Sequence, residues 1–367
     1  MIIKPLTSLR FFFALIVFLS HIKFIPESEV FLYQIFNLLF RQGAIGVSFF
    51  FILSGFVLAL NYKNRIKEKE VSFKEFWIAR VARIYPLYLI TLLFSVPLSF
   101  QLNINSLSFW IQGLIANIFL VQSFIPHIDV YYGPNGPGWS ISNELFFYLL
   151  FPFLIVILSR YSKAISWGLI LLLLIPLGVY LSPDDLHEFL FYINPIARLA
   201  DFFIGILLFR LYELEIFSAW FQSKFRANFS EISAIGLFAL FFAVSRYIPT
   251  GYLYSSFYWI PMATIIFIFS YQAGSVSDLL SNKFFILLGE ISYGFYLWHI
   301  IVIHYVYFFI YRFFPFPNSY LVLVAIFLAT LIISYLSYKI IEIPTNRYIR
   351  KKFRKEDPLV RIPDQAV

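Results

Sequence analysis

The chain is a succession of long apolar runs broken by short polar stretches, most of them basic. Runs fall at 6–24, 43–60, 84–100, 139–159, 164–181, 195–210, 232–247, 255–273, 285–311 and 319–341. Each approaches the ~20 residues that a helix needs to cross ~30 Å of hydrocarbon at ~1.5 Å per residue. The pattern predicts an all-α, polytopic integral membrane bundle of about ten transmembrane helices. A further run, 107–124, fits less well. Loop 61–83 and the tail segment RYIRKKFRK carry the basic clusters, and basic segments stay on the cytoplasmic side. Ten crossings satisfy both with the two termini cytoplasmic. Counting 107–124 as a crossing would send the tail outside, so it is expected to be interfacial or re-entrant. The Gly/Pro loop 133–138 (GPNGPG) then lies on the outer side. The expected organisation is a membrane domain over 1–345 and a basic cytoplasmic tail over 346–367.

Composition supports this class. The chain has 367 residues, 60% hydrophobic and 13% charged, with 48 Phe and 25 Tyr. Soluble domains are nearer half apolar and a quarter charged. No room is left for a second soluble domain. There is no cysteine, which excludes disulfides and thiol catalysis. The first run is too long for a signal-peptide core and lacks a small-residue cleavage site. The net charge of +8 sits in loops and tail, and reads as topology rather than nucleic-acid binding.

Ionisable residues inside spans are costly and commonly mark function. Arg10 and His21 interrupt the first run eleven positions apart. At about 100° per residue they return to nearly one helix face, ~16 Å apart along the axis. The second run, GAIGVSFFFILSGF, offers small residues Gly43, Gly46, Ser54 and Gly55. These serve close helix packing, or leave room for a thin acyl or pantetheine chain. Arg80 and Arg83 are three apart before Pro86 at the mouth of the third span, a fit for bidentate phosphate binding or for plain anchoring. Lys63, Arg65, Lys67 and Lys74 add to that positive field.

Glu144 lies in GWSISNELFFYLLFP, four residues after Ser140. Placed from the outer end of its span, it should reach the depth of His21 and orient that imidazole as a general base. Arg198 and Asp201 are three apart, and either neutralise each other or bind a polar substrate. His299 falls near the middle of the ninth run. With Trp139 and Ser140, these three make up the candidate substrate-binding set. His127 and His187 are in loops. The five His show no metal-ligand spacing. No phosphate-binding glycine loop or nucleophile elbow is present.

Taken together, Arg10-x10-His21, GVSFFFILSGF, Arg80-x2-Arg83 before IYPLY, GWSISNELFFYLLFP, ISYGFYLWH and a closing Glu342-Ile-Pro344 resemble the membrane acyltransferase-3 family of bacterial surface-sugar O-acyltransferases. The segments run in the family's order over 6 to about 345. The resemblance implies ten spans in the bacterial inner membrane and acyl-CoA, chiefly acetyl-CoA, as a donor substrate rather than a resident cofactor. It also implies a carbohydrate acceptor on a surface glycan or lipid-linked sugar. It makes Arg10 and His21 the catalytic pair and associates Arg80 and Arg83 with the donor; Lys63 and Arg65 join them as candidate donor-binding residues on charge alone. One departure is LTSLRFFFAL, which has no carboxylate just before Arg10. The hydrolase-like C-terminal domain of some members is not in this sequence. The expected function is O-acyl transfer across the membrane, with His21 as base, Glu144 orienting it and Arg10 positioning the donor. A glycan transporter or flippase is the alternative.

Overall fold

The computed structural model describes residues 2–23, 25, 29–39, 43–102, 107–161, 163–314 and 318–353. Its long helices, in chain order, are α1 (Lys4–Ser20), α2 (Ala44–Lys67), α3 (Phe73–Leu102), α4 (Gly138–Arg160) and α5 (Lys163–Leu181). Then come α6 (Pro195–Glu213), α7 (Lys224–Val244), α8 (Trp259–Ser270), α9 (Lys283–Phe313) and α10 (Ser319–Ser337). A wide π turn, Tyr338–Glu342, leads from α10 into α11 (Ile343–Phe353).

Among the described residues, seven helical segments are long and apolar enough to cross a membrane. An eighth is gained if Asp184–Ile193 and Pro195–Glu213, bent by 49°, count as one span. The remaining two expected spans fall on shorter apolar helices. With 17 residues, α1 covers only ~25 Å, and the apolar part of α5, Ile165–Leu181, is no longer. The chain is thus a polytopic helical membrane protein. The run 107–124 forms a helix over Leu107–Ile118, whose 12 residues reach ~18 Å and cannot cross alone.

Two features of the fold shape the site. The third span was expected to open at 84, with Arg80 and Arg83 on a short helix before it. Instead α3 is one helix of 30 residues that runs through Pro86 and Pro97 and carries both arginines. Proline removes one backbone bond but is tolerated where neighbouring helices re-satisfy the freed groups. The start of the basic tail adds a helix that the apolar pattern does not show: α11 packs against α3. Residues 354–367 of that tail lie outside those described.

Helix contacts follow the small residues. A Cβ at Gly55 would lie 2.0 Å from the Phe202 carbonyl oxygen, and one at Gly205 would lie 2.0 Å from that of Ile52. So α2 and α6 touch backbone to backbone. Gly289 on α9 meets the Thr7 carbonyl of α1 in the same way. The glycines of the second run therefore serve as packing surfaces: a Cβ at Gly43, Gly46 or Gly55 would meet Ser20, Val17 or Phe202. Phenylalanine fills the interior, with Phe13 stacked on Phe49 at 3.8 Å and Phe147 on Phe202 at 5.1 Å. Leu171, Leu173 and Tyr180 on α5 point outwards as a lipid-facing surface does.

Candidate active site

His21 follows the last residue of α1. Its Nδ1 lies 2.8 Å from the Val17 carbonyl oxygen, a helical neighbour four residues back. A carbonyl only accepts, so in the neutral ring Nδ1 carries the proton and Nε2 keeps its lone pair. The ring is exposed and meets His299 edge-on at 5.0 Å. His299 is buried, with Nδ1 at 2.5 Å from the Tyr296 carbonyl oxygen and Nε2 without a partner. The Tyr296 ring lies 5.6 Å from His299, and its hydroxyl is 2.9 Å from that of Ser140. Thus His21, His299, Tyr296 and Ser140 form one polar line across α1, α9 and the start of α4.

Glu144 is not part of that line. It accepts a hydrogen bond from Tyr148, one turn on, and its charge faces the guanidinium groups of Arg10, Arg83 and Arg80. Arg10 lies ~16 Å below His21 at helical rise. The imidazole is therefore oriented by the Val17 carbonyl rather than by a carboxylate. The physical reason is the depth at which α4 begins. Asn135, in the Gly/Pro loop, is buried and donates to Thr91 Oγ1 at 3.3 Å. Thr91 sits eleven residues before the end of α3, or ~16 Å along its axis. The loop thus dips into the bundle, and α4 starts well inside rather than at the outer boundary. Asn117 packs against Gly133 and Gly138 at its two ends, fixed by accepting from the Tyr88 hydroxyl at 2.9 Å and donating to the Gly113 carbonyl at 2.8 Å.

The lower cluster joins five elements. Arg80 Nη2 donates to the Tyr62 hydroxyl at 2.9 Å, and the guanidinium lies over the Tyr62 ring at 5.1 Å and the Tyr148 ring at 5.9 Å. Arg83 has a buried Nη1 without a hydrogen-bond partner. Glu342, on the π turn, is buried with both oxygens unpartnered, and faces Arg83 and Arg10. Arg10, Arg80, Arg83 and Glu144 are all half-buried, so accessible space reaches them inside the bundle. Three cations and two carboxylates at one depth leave a small positive excess, enough for an anionic or strongly polarised ligand group.

Lys63 and Arg65 stay at the end of α2, outside this cluster. Lys63 pairs with Glu213, and Arg65 lies 3.6 Å from Glu70. Arg198 and Asp201 make a closed knot. Their ion pair measures 2.9 Å, Arg198 also donates to the Tyr254 carbonyl at 2.5 Å and to Ser48 at 2.9 Å, and Asp201 accepts from Trp259 at 2.5 Å. Both are 1% exposed, so the pair has no face open to a substrate. Trp139 is buried against Tyr192, ring to ring at 4.5 Å. Sequence reasoning gave no role to Tyr62, Tyr148, Tyr296 or Glu342. Glu342 stood in a quoted motif, but the tyrosines carry no local signal among 25 in the chain.

The bundle thus sets His21 above a partly buried cluster of guanidinium groups and carboxylates. The chain belongs to the acyltransferase 3 family: the model of that family, described as an acyltransferase domain, matches residues 4–339. It is 30% identical over 327 residues to Acyltransferase MdmB of Streptomyces mycarofaciens, covering 83% of this chain and 79% of that protein. It is 28% identical over 347 residues to O-acetyltransferase OatA of Staphylococcus aureus strain NCTC 8325, covering 84% of this chain. It spans 53% of the length of OatA. No solved structure matches. The protein is accordingly a multi-pass membrane acyltransferase of the O-acetyltransferase type, which takes an acyl donor and an acceptor.

Proposed function

We propose that the protein moves an acyl group, acetyl by family likeness, from cytosolic acyl-CoA to a hydroxyl of a surface or lipid-linked sugar. In this reading it lies in the bacterial cytoplasmic membrane with ten spans and both termini inside. The donor's phosphates rest near the basic end of α2 and the start of α3, where Lys63, Arg65 and Lys74 supply positive charge. Its pantetheine arm passes Arg80 and Arg83, and its thioester rises past Arg10 towards His21. His21 Nε2 takes the acceptor's hydroxyl proton as that oxygen attacks the thioester carbon. Collapse of the tetrahedral intermediate breaks the C–S bond, and the imidazolium returns the proton to the departing CoA thiolate. Glu144 acts lower down, by holding the three guanidinium groups in place for the donor.

The observation that carries this reading is the 2.8 Å contact between His21 Nδ1 and the Val17 carbonyl. It leaves a basic lone pair at the outer end of the same helix whose inner half supplies Arg10. Mass analysis of surface glycans from cells with and without the protein tests it. An acyl-sized mass difference, lost in His21→Ala, is the expected outcome. Identical glycan masses would refute it.

A further inference from the structure

On that reading the acceptor still needs a place to bind, since the Arg198–Asp201 knot is closed. Another cluster, on the outer side in the proposed orientation, has the right chemistry. Tyr132 follows the short helix Ile128–Tyr131, and its hydroxyl donates to Glu188, at the start of the wide turn Glu188–Ile193. Both residues are half-buried. Tyr131 meets Tyr132 edge-on at 4.8 Å, and Tyr192 stacks on Tyr254 at 5.0 Å. The Glu188 charge faces Tyr131, Tyr192 and Tyr254, and among the described residues no Lys or Arg pairs with it. A carboxylate has about four lone-pair positions, so several here remain free to accept.

Tyr132 is also a wall of a cavity of about 220 Å³, shared with Gly133, Asn135, Ser95, Ser99 and His304. Asn135 Oδ1 is buried without a partner. His304, in the cavity wall, is on α9, the helix that also carries His299, which meets the His21 ring at 5.0 Å. The volume is below the ~300–1,000 Å³ of ordinary ligand pockets, which suits one ring and not a chain of them.

We infer that Tyr132, Glu188 and this cavity form the acceptor subsite and hold a single neutral sugar ring. Hydroxyls donate to Glu188 and to Asn135 Oδ1, while apolar ring faces lie against the tyrosines. A phosphorylated or acidic ring is rejected there, because Glu188 has no cation to offset it.

The test uses whole cells carrying the full-length protein with a membrane-abundance tag. It reads acetate released by mild base from the surface glycan, together with acetyl-CoA binding to each purified protein. Tyr132→Phe keeps the ring and removes the donor to Glu188. Glu188→Gln keeps the shape and removes the charge. Ser99→Leu fills the cavity from the other side, and stands in should either variant fail to reach the membrane. Each should lower glycan acetate about tenfold, the scale of one charge-assisted hydrogen bond, with acetyl-CoA affinity at the wild-type value. Wild-type acetate in the variants overturns the subsite. So does a parallel loss of acetyl-CoA binding, which marks a structural role. If cells with the wild-type protein carry no more acetate than cells without it, the proposed reaction itself fails instead.

Discussion

At the residue scale, the reaction rests on separating two polar centres that the sequence placed together. His21 and Glu144 were expected at one depth, by counting from the ends of their spans. Counting works for α1, whose end is His21 itself. It fails for α4, because nothing local in GPNGPG shows that the loop is drawn inwards, bonded to Thr91 and packed on Asn117. The separation has consequences in kinetics. Glu144→Gln should leave the histidine limb of the pH–rate profile where it is in the wild type. It should raise the KM for acyl-CoA and lower turnover about tenfold, by loosening the guanidinium groups. A displaced histidine limb would put the carboxylate back beside the imidazole. Arg83→Ala should weaken acyl-CoA binding by ~1.5–3 kcal/mol, measured by titration calorimetry in detergent. Unaltered affinity in that folded variant would reduce Arg83 to an anchor.

At the element scale, apolar length and loop charge made nearly every long helix legible, because burial in lipid demands both. What they could not show is where a helix continues through a polar stretch. The sequence WIARVARIYPLY looks like a loop entering a span, yet it lies in the first half of α3, with Arg80 bonded to Tyr62 and both arginines opposed by Glu144 from a distant part of the chain. The helix contacts were half-visible as glycines, without their partners. Those partners now make a prediction. Gly55→Ala and Gly205→Ala each drive a methyl group to within 2.0 Å of a facing carbonyl oxygen. Each should destabilise the fold by ~1–3 kcal/mol, read as a lower midpoint of thermal unfolding in detergent. Gly236→Ala on α7 meets nothing within 4 Å, and should be neutral or stabilising by up to ~1 kcal/mol, the helix-propensity difference. Equal effects at the three positions would deny the α2–α6 backbone contact.

At the scale of the whole molecule, the arrangement is a polar seam through an aromatic bundle. Guanidinium groups and carboxylates hold its lower part, and a histidine pair, Tyr296 and Ser140 its upper part. The direction proposed for it across the membrane rests on loop charge. Reporter domains fused after Lys163 and after Arg350 should both report cytoplasm, and an outside signal from either would break the ten-span orientation. The central claim is that His21 performs the transfer while the donor is held below it. Incorporation of radiolabelled acetyl from acetyl-CoA into base-labile glycan acetate, in membranes from producing cells, measures this directly. Wild-type membranes should incorporate label. His21→Ala membranes should incorporate none above background, although the purified variant binds acetyl-CoA as tightly as wild type. Incorporation by His21→Ala at the wild-type rate would contradict the account.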